Sequence, residues 1–348
     1  ASAASASLNW RGRLHAAVNR ARAFFRFPDG GTGWSRPAAR VLNEMLVEVR
    51  PDLVITSHEP CAGIALWLGG RIEGVKWLAD LGDPVLSDYV AVRWRRRALQ
   101  LEAEMFRLAD RVVVTNAPTR SLLFQRHGTR IGVEILPQGF DSEVCSPMGA
   151  AAADTSSPLR ILYTGRFYAF RDGRALFEAV AATPGVVLEV ATTAVTRLLG
   201  RFLEAHPQSF RLLGTLSHQQ AIAAQCKQDV LICLGNANPV QTPGKVFEYL
   251  GSGRPILYVS QSQADPVGAW LEEVGRGWQC SNDASSIAEA LQELLGRKLN
   301  GQLEHGLDLR MEAVASESWE SRGRKLASLC QDILSNPPAW RCPDHGQQ

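Results

Sequence analysis

The clearest structural signals in this chain lie in the segment Pro243-Gly244-Lys245-Val246-Phe247-Glu248-Tyr249-Leu250-Gly251-Ser252-Gly253-Arg254-Pro255-Ile256-Leu257. It predicts a helix over 243–251, with Thr242 as N-cap and Pro243 as the first helical residue, followed by a strand. The start of a helix attracts anions because its free amides point at the ligand, and Lys245 adds a positive charge. Glu248 lies on the same side, where a carboxylate can accept two ribose hydroxyl protons. Two interpretations fit this pattern equally well. It is either a binding site for a nucleotide diphosphate or an ordinary helix–strand unit with an exposed Lys–Glu pair.

Four other segments accompany this one in a characteristic order. They are Ala109-Asp110-Arg111-Val112-Val113-Val114-Thr115-Asn116, Ile135-Leu136-Pro137-Gln138-Gly139-Phe140-Asp141, Leu162-Tyr163-Thr164-Gly165-Arg166 and Ser318-Trp319-Glu320. Together with Lys-x-x-Glu-Tyr-Leu-x-x-Gly-x-Pro-Ile at 245–256, the set resembles the retaining glycosyltransferases of the GT-B fold, family 4, over about residues 50–335. The resemblance implies an α/β protein with two Rossmann-like parallel-sheet domains facing a central cleft.

Composition sets broad limits on the class of protein. The chain has 348 residues, 45% hydrophobic and 21% charged, which is enough for two globular domains. A net charge of +2 gives no indication of a nucleic-acid partner. The seven cysteines are dispersed without a Cys-x-x-Cys pair, which disfavours a zinc site or a redox pair and is typical of a reducing cytosol. No apolar run is long enough to span a bilayer, so we expect a cytoplasmic protein.

The distribution of charge is more informative than its total. Residues 8–27 carry five arginines and no acid, and their apolar residues fall on one face of a helix. This pattern predicts a basic amphipathic helix that lies on an anionic membrane surface, which would place the protein at the inner face of the cytoplasmic membrane. The alternative is a surface helix that packs on its own domain with solvated arginines. A second basic cluster, 93–97, surrounds Trp94.

Short apolar runs alternate with helical patterns along the chain, which predicts parallel sheets. Strands are expected at 49–57, 75–79, 111–114, 159–164, 186–191, 210–213, 229–233, 255–259 and 278–280. Helices are expected at 61–70, 92–108, 117–127, 172–182, 194–205, 217–226, 243–251, 265–275, 284–296 and 316–334, with a capping box at Ser217-His218-Gln219-Gln220.

The same pattern predicts two domains joined by a linker. We expect an N-terminal acceptor-binding domain over 1–147, a linker over 148–157 and a C-terminal nucleotide-sugar-binding domain over 158–315. A helix over 316–335 then returns to the first domain, and 336–348 form a loose tail. The resembled family opens with a strand, a Gly-rich turn and a helix that this chain lacks. We therefore expect a truncated start, explained by a trimmed chain, by omitted segments or by a partner chain.

The resemblance implies a donor site in the second domain. Gly165, Arg166, Arg171 and Lys245 would surround the diphosphate, and Glu248 would bind the ribose. The base or the sugar would lie near Thr215, Leu216, Val240, Gln241 and Thr242. A structural salt bridge is the equal alternative for Arg171. Glu248 matches the second Glu of the family's Glu-x7-Glu pattern, but the first position is Val240, which leaves the sugar contacts and the activity open.

In the first domain, polar residues follow two predicted strands. His58 ends one strand, while Asp80 and Asp83 follow the next, so all three would face the cleft of a parallel sheet. They are the catalytic candidates, for orienting an acceptor hydroxyl or stabilising positive charge on the sugar. The alternatives are a turn-capping role for Asp83 and a structural role for His58. No Asp-x-Asp motif ends a strand, so we expect neither a metal nor a cofactor beyond the nucleotide-sugar co-substrate.

The leading hypothesis is a sugar transferase that moves a sugar from a nucleotide diphosphate sugar to a glycan or lipid-linked acceptor. The resemblance implies retention of configuration and a role in cell-surface polysaccharide or glycolipid biosynthesis. A degenerate protein that scaffolds a glycan-assembly complex is the first alternative, and a nucleotide-sugar epimerase or hydrolase is the second. A Rossmann dehydrogenase is disfavoured because no Gly-x-Gly-x-x-Gly follows a predicted strand.

Overall fold

The computed structural model describes residues 27, 35–58, 62–70, 74–88, 90–129, 131–142, 155–168, 171–263 and 265–335. The chain divides into two compact units. Residues 1–136 with 326–348 form the first, and residues 137–325 form the second.

The first unit is built on a parallel sheet of four strands in the order β1-β2-β3-β4. The strands are β1 (Leu53–His58), β2 (Lys76–Leu81), β3 (Arg111–Val114) and β4 (Val133–Ile135). Its helices are α1 (Ser35–Val49), α2 (Ala62–Gly70), α3 (Arg95–Leu108) and α4 (Ala117–His127), with a 3₁₀ helix over Val92–Trp94 before α3.

Apolar packing against both faces of this sheet forms the core of the first unit. Trp67 of α2, Trp77 of β2 and Met105 of α3 are fully or almost fully buried on one side. On the other side, Leu78 and Val113 pack with residues near the end of the chain, including Ile333. Because both faces are covered, the strands are near-continuous apolar runs.

The second unit contains a parallel sheet of six strands in the order β10-β9-β8-β5-β6-β7. The strands are β5 (Leu159–Thr164), β6 (Val186–Ala191), β7 (Phe210–Gly214), β8 (Val230–Leu234), β9 (Ile256–Ser260) and β10 (Gly277–Ser281). The helices are α5 (Arg174–Ala182), α6 (Arg197–Ala205), α7 (His218–Gln225), α8 (Lys245–Gly251), α9 (Val267–Glu273) and α10 (Ala284–Leu299). The last helix, α11 (Trp319–Ser335), begins in this unit, and its residues from 326 onward belong to the first unit. A 3₁₀ helix, Met311–Glu317, precedes α11.

The strand order of the second unit determines where a site can form. From β5 the chain moves outward to β6 and β7, and then returns to build β8, β9 and β10 on the other side of β5. The connections on the two sides leave in opposite directions, which opens a crevice at the carboxyl ends of β5 and β8. Ligands of open parallel sheets bind at such a switch point.

The two parallel sheets and their helices confirm the predicted α/β class. Two elements of the first unit, α1 and β4, were not predicted. The predicted helix over 8–27 lies outside the described residues except for Phe27. So do the tail 336–348 and most of the linker 148–157, so those predictions stay open. In the part of the chain that the structure describes, no helix is long and apolar enough to cross a membrane.

The segment Gln138–Asp141 is fixed against the start of α11 by a close backbone approach. Phe140 donates its N–H to the carbonyl of Glu317 at 3.2 Å, and Trp319 donates to the carbonyl of Phe140 at 2.9 Å. A Cβ on Gly139 would lie 2.8 Å from the nitrogen of Trp319 and 2.9 Å from the oxygen of Glu317. These are backbone atoms, so they cannot move aside as a flexible side chain could.

We therefore expect Gly139→Ala to destabilise the chain by about 1–3 kcal/mol, the usual cost of overpacking. Gly200→Ala in α6 is the matched control, because no atom lies within 4 Å of the added methyl group, and Ala is the better helix former. Urea unfolding followed by circular dichroism measures both. A Gly139→Ala midpoint equal to that of Gly200→Ala would contradict the packing argument.

Candidate functional site

The end of β5 places the positively charged side chain of Arg166 at the crevice. Gly165 follows the strand with a φ of +140°, a backbone conformation that glycine adopts most readily, and donates its N–H to the carbonyl of Ala191 at 2.9 Å. Arg166 is exposed, and its Nε donates to Oγ1 of Thr193 at 2.8 Å. The hydroxyl of Tyr163 donates to the carbonyl of Arg166 at 2.9 Å. The backbone under the guanidinium is therefore held while its charge remains accessible to solvent.

The end of β8 positions a second cation through Asn236, a residue that the sequence analysis did not identify. Arg171 donates to Oδ1 of Asn236 from Nε at 2.9 Å and from Nη2 at 2.5 Å. The amide nitrogen of Asn236 donates to the carbonyl of Gln241 at 2.8 Å. Arg171 makes no ion pair with an acid among the described residues. Its partner is a neutral amide, so its positive charge is oriented but not neutralised.

The charges of Arg171 and Lys245 both affect the buried thiol of Cys233 in β8. Burial raises the pKa of Cys233 to about 12, and the charges of Arg171 and Lys245 oppose that rise. Cys233 is therefore a protonated, unreactive thiol at neutral pH. The two cations lie close enough to influence one buried atom, which places both beside the switch point.

Glu248 lies on α8, where three hydrogen bonds hold its carboxylate. Lys245 donates from Nζ to Oε1 at 3.2 Å and to Oε2 at 3.0 Å. The side-chain amide of Gln225, which is fully buried, also donates to Oε1. The same amide lies 3.5 Å from Oγ1 of Thr164 at the end of β5. The sequence gives no indication of this role for Gln225, since it occupies a position of α7 where a buried apolar residue would be ordinary.

The Lys245–Glu248 pair lines a cavity of about 390 Å³ within the second unit. The other walls come from Gln138–Asp141, His218, Ile222 and Trp319. Trp319 is 53% exposed, a large fraction for a tryptophan. The volume is within the usual range for small-molecule sites, which combine apolar walls with a few polar or charged groups.

The structure corrects the predicted start of α8. The helix has seven residues from Lys245 to Gly251, and its N-cap is Gly244 in a helical conformation, without a side-chain cap. Val246 donates its N–H to Pro243 and Phe247 to Gly244, so the first turn is tightened by i→i−3 bonds. The prediction of Thr242 as N-cap was therefore wrong, and the anion affinity expected of the helix start receives no support.

Other predicted donor-site residues lie on two loops. Thr215 and Leu216 lie between β7 and α7, after Gly214 with its φ of +74°. Val240, Gln241 and Thr242 lie between β8 and α8, and the N–H of Val240 donates to Oδ1 of Asn238 at 3.0 Å. The described residues that line the cavity include none of these five.

In the first unit, the carboxyl ends of β1 and β2 bring His58 and Asp80 together. Ser57 pairs with Asp80 across the two strands, and its hydroxyl donates to Oδ2 of Asp80 at 3.2 Å. Burial raises the pKa of Asp80, while the Ser57 hydrogen bond and the charge of His58 oppose the rise. Asp83 lies in the turn after β2, one residue beyond Gly82, whose N–H donates to the carbonyl of His58 at 3.1 Å. The described residues include no group of three or more His, Cys, Asp or Glu that could hold a metal ion.

Comparison with solved structures identifies the fold as GT-B. The chain superposes on the sucrose-phosphate synthase of Thermosynechococcus elongatus with a TM-score of 0.68, 17% identity, and coverage of 87% of this chain and 79% of that one. It is similar to a mutant of S. aureus TarM solved with UDP and alpha-GlcNAc-glycerol, with a TM-score of 0.60, 12% identity, and coverage of 81% and 55%. It is also similar to a putative UDP-N-acetylglucosamine 2-epimerase from Listeria monocytogenes, with a TM-score of 0.54, 12% identity, and coverage of 87% and 80%.

These likenesses confirm the predicted GT-B fold, which is a glycosyltransferase-like fold that an epimerase-like structure also shares. This chain spans about half the length of TarM. No protein-family model matches the chain, and comparison with curated proteins gives no sequence match. At these identities the fold is shown, and the chemistry has to be argued from the residues.

The raised pKa of Asp80 predicts how stability depends on pH. The folded state binds the Asp80 proton more tightly than the unfolded state, so ionised Asp80 lowers stability above its folded pKa. We expect Asp80→Asn to raise the melting temperature at pH 7. The difference should shrink as the pH falls and disappear below 3.8, the ordinary aspartate pKa, where Asp80 becomes protonated in both states.

Melting temperatures measured by circular dichroism from pH 7 to acid test this expectation. Asp52→Asn is the control, because Asp52 is an exposed aspartate in the same unit. A melting temperature of Asp80→Asn at pH 7 that does not exceed the wild-type value would contradict the assignment. A stabilising Asp80→Asn would mark Asp80 as a residue whose charge is maintained at a cost to stability, as is common at functional sites.

Proposed function

We propose that this chain is a glycosyltransferase that takes a sugar from a nucleotide diphosphate sugar and transfers it to a glycan or lipid-linked acceptor, with retention of configuration. The observation that carries the proposal is the Lys245–Glu248 pair, which Gln225 holds and which lines a cavity in the second unit of a GT-B fold. A positive charge beside an oriented carboxylate suits a ligand with an anionic diphosphate and a ribose diol.

The cations of the second unit suit the leaving group of this reaction. The bond between the anomeric carbon and the phosphate oxygen breaks, and the oxygen keeps the electron pair. The departing nucleoside diphosphate therefore gains negative charge as the bond breaks. Arg166 and Arg171 can bind it with bidentate guanidinium groups, and Lys245 adds a third charge. The acceptor oxygen forms the new bond to the same face of the sugar, and its proton passes to the departing diphosphate oxygen.

In this proposal the first unit binds the acceptor. Asp80, with its raised pKa, and His58 beside it are the groups that could orient an acceptor hydroxyl or stabilise positive charge on the sugar. Asp83 is the third candidate at the same end of the sheet. TarM, which has the same fold, was solved with UDP and a sugar–glycerol compound, which supports a nucleotide-sugar donor and a glycan acceptor.

We further propose that the reaction belongs to cell-surface polysaccharide or glycolipid biosynthesis and takes place at the inner face of the cytoplasmic membrane. The basic segment 8–27 is the sequence feature behind this proposal. A lipid-linked acceptor would be presented at that surface.

A second candidate function is epimerisation of a nucleotide sugar. The likeness to a putative UDP-N-acetylglucosamine 2-epimerase favours it. Val240, at the position of the first Glu of the family's Glu-x7-Glu pattern, removes a carboxylate from the expected sugar site. The same change is compatible with a scaffold that binds nucleotide without turnover. Incubating the chain with a UDP sugar and no acceptor distinguishes an epimerase from a transferase or a scaffold. Only an epimerase or hydrolase changes the sugar nucleotide under that condition.

Calorimetric titration with UDP, GDP and ADP tests the donor site. We expect one of the three to bind selectively, and Glu248→Gln to weaken that binding about tenfold to a hundredfold, because a hydrogen bond to a charged group contributes roughly 1.5–3 kcal/mol. Arg166→Ala should weaken it as well. Glu293→Gln is the matched control, since Glu293 forms a comparable ion pair with Arg297 on α10 and does not line the cavity.

Equal affinity in the wild-type protein, Glu248→Gln and Arg166→Ala would remove the basis of the assignment. Selective binding that depends on both residues, without sugar turnover in the presence of lipid or glycan acceptors, would favour the scaffold. Epimerisation without an acceptor would favour the second candidate function.

A further inference from the structure

A compact group of arginines lies at the start of α3 in the first unit. We call it the Arg93–Arg97 patch, and its members are Val92, Arg93, Trp94, Arg95, Arg96 and Arg97. Arg93, Arg96 and Arg97 are exposed, and Val92 is 86% exposed, the largest fraction among the exposed large hydrophobic residues of the described chain. Four positive charges therefore surround an exposed apolar side chain within two turns of helix.

Three of the arginines in this patch have no acidic partner among the residues that the structure describes. Neither Arg95 nor Arg96 nor Arg97 forms an ion pair with another described residue. The first turn of α3 contains no acid, and its positive dipole end adds to the repulsion. The nearest acid C-terminal to the patch on α3, Glu102, is fully buried and already paired with Arg126 and His127.

Some arginines on other helices have acidic partners. Arg297 pairs with Glu293 on α10, and Arg324 pairs with Glu320 on α11, each one helical turn away. Concentrating like charges at the positive end of a helix opposes folding, and the structure provides no compensating acid for Arg95–Arg97 among the residues it describes. Such an arrangement is complementary to an external anion.

Aromatic rings order part of the patch. The guanidinium of Arg93 lies 4.5 Å from the ring centre of Trp94, and that of Arg97 lies 4.8 Å from the ring centre of Phe27. The two rings are themselves 5.5 Å apart. Two arginines are thereby stacked in place, which reduces the conformational entropy that they lose when they bind an anionic surface.

We propose that the Arg93–Arg97 patch binds the surface of an anionic phospholipid bilayer. The arginines match lipid phosphates, and the exposed Val92 can enter the boundary between headgroups and acyl chains, as amphipathic segments do at membrane interfaces. The sugar–phosphate backbone of a nucleic acid offers no apolar layer for Val92, and the net charge of +2 is low for a nucleic-acid-binding protein. Phe27, the last residue of the segment 8–27, packs against Trp94 of the patch.

This inference rests on the proposal that the chain works at a membrane, and it does not depend on sugar transfer. It assigns membrane contact to described residues of the first unit, whereas the donor cavity belongs to the second. Membrane binding and nucleotide binding can therefore fail separately.

Cosedimentation of the full chain with vesicles tests the proposal. The vesicles are phosphatidylcholine alone or a mixture of phosphatidylcholine and phosphatidylglycerol. We expect binding to the anionic vesicles only, weakened by added salt. The double variant Arg95→Gln/Arg96→Gln should bind about tenfold more weakly or worse. Val92→Ser should also weaken binding although it leaves the charge unchanged.

The matched control is Arg197→Gln/Arg201→Gln, which removes the same charge from two exposed positions of α6 in the second unit. It should bind vesicles like the wild-type protein. Melting temperatures verify folding, and the Arg95/Arg96 variant should melt at or above the wild-type temperature because helix-dipole repulsion is relieved. Its affinity for the nucleoside diphosphate identified by calorimetry should be unchanged.

Equal vesicle binding by the Arg95/Arg96 variant and the wild-type protein would overturn the proposal. Loss of binding only when Arg11, Arg13, Arg20 and Arg22 are neutralised would move the membrane contact to the segment 8–27 and overturn it too. Tight binding of single-stranded RNA without vesicle binding would assign the patch to a nucleic acid instead.

Discussion

The half-buried carboxylate of Glu248 constrains the architecture of the second unit. A charge in this position must be matched by donors, and the donors come from Lys245 on its own helix and from Gln225 on α7. Gln225 also reaches Thr164, whose N–H and hydroxyl both meet the hydroxyl of Tyr249. The end of β5, the end of α7 and the face of α8 are thus joined by one hydrogen-bond network. The geometry of the cavity follows from that network.

Charges with a structural role and charges available for ligands are distinguished by their partners. Glu102 is fully buried and accepts hydrogen bonds from Arg126, His127 and the N–H of Leu86. Lys298, 3% exposed, donates to Asp229 and to the carbonyl of Pro158. Such groups are saturated, as buried ions must be. Arg166 and Arg171 instead contact a neutral hydroxyl and a neutral amide, and Arg97 stacks on the ring of Phe27, so these contacts orient the charge and do not neutralise it.

The sequence predicted most of the fold and only part of the site, for physical reasons. Strands buried on both faces are continuous apolar runs, and local capping is encoded within four residues, so the box at Ser217 and Gln220 was predicted and is confirmed. The predicted cap at Thr242 was wrong because the helix begins at Lys245, two residues later than predicted, with Gly244 as its N-cap. Gln225 and Asn236 were missed because their importance arises from partners 23 and 65 residues away in sequence. Periodicity records burial, and it carries no information about such distant contacts.

The thiol of Cys233 has a consequence for the chemistry that this site can undergo. It lies beneath the switch point, and burial holds its pKa near 12 in spite of two neighbouring cations. Oxidants and alkylating agents react with thiolates, so this cysteine is protected at neutral pH. Covalent thiol-directed inhibitors would pass over it, and a swing in the cellular redox potential would leave the cavity unchanged. Reactive labels can therefore be attached to engineered surface cysteines of the second unit without modifying Cys233.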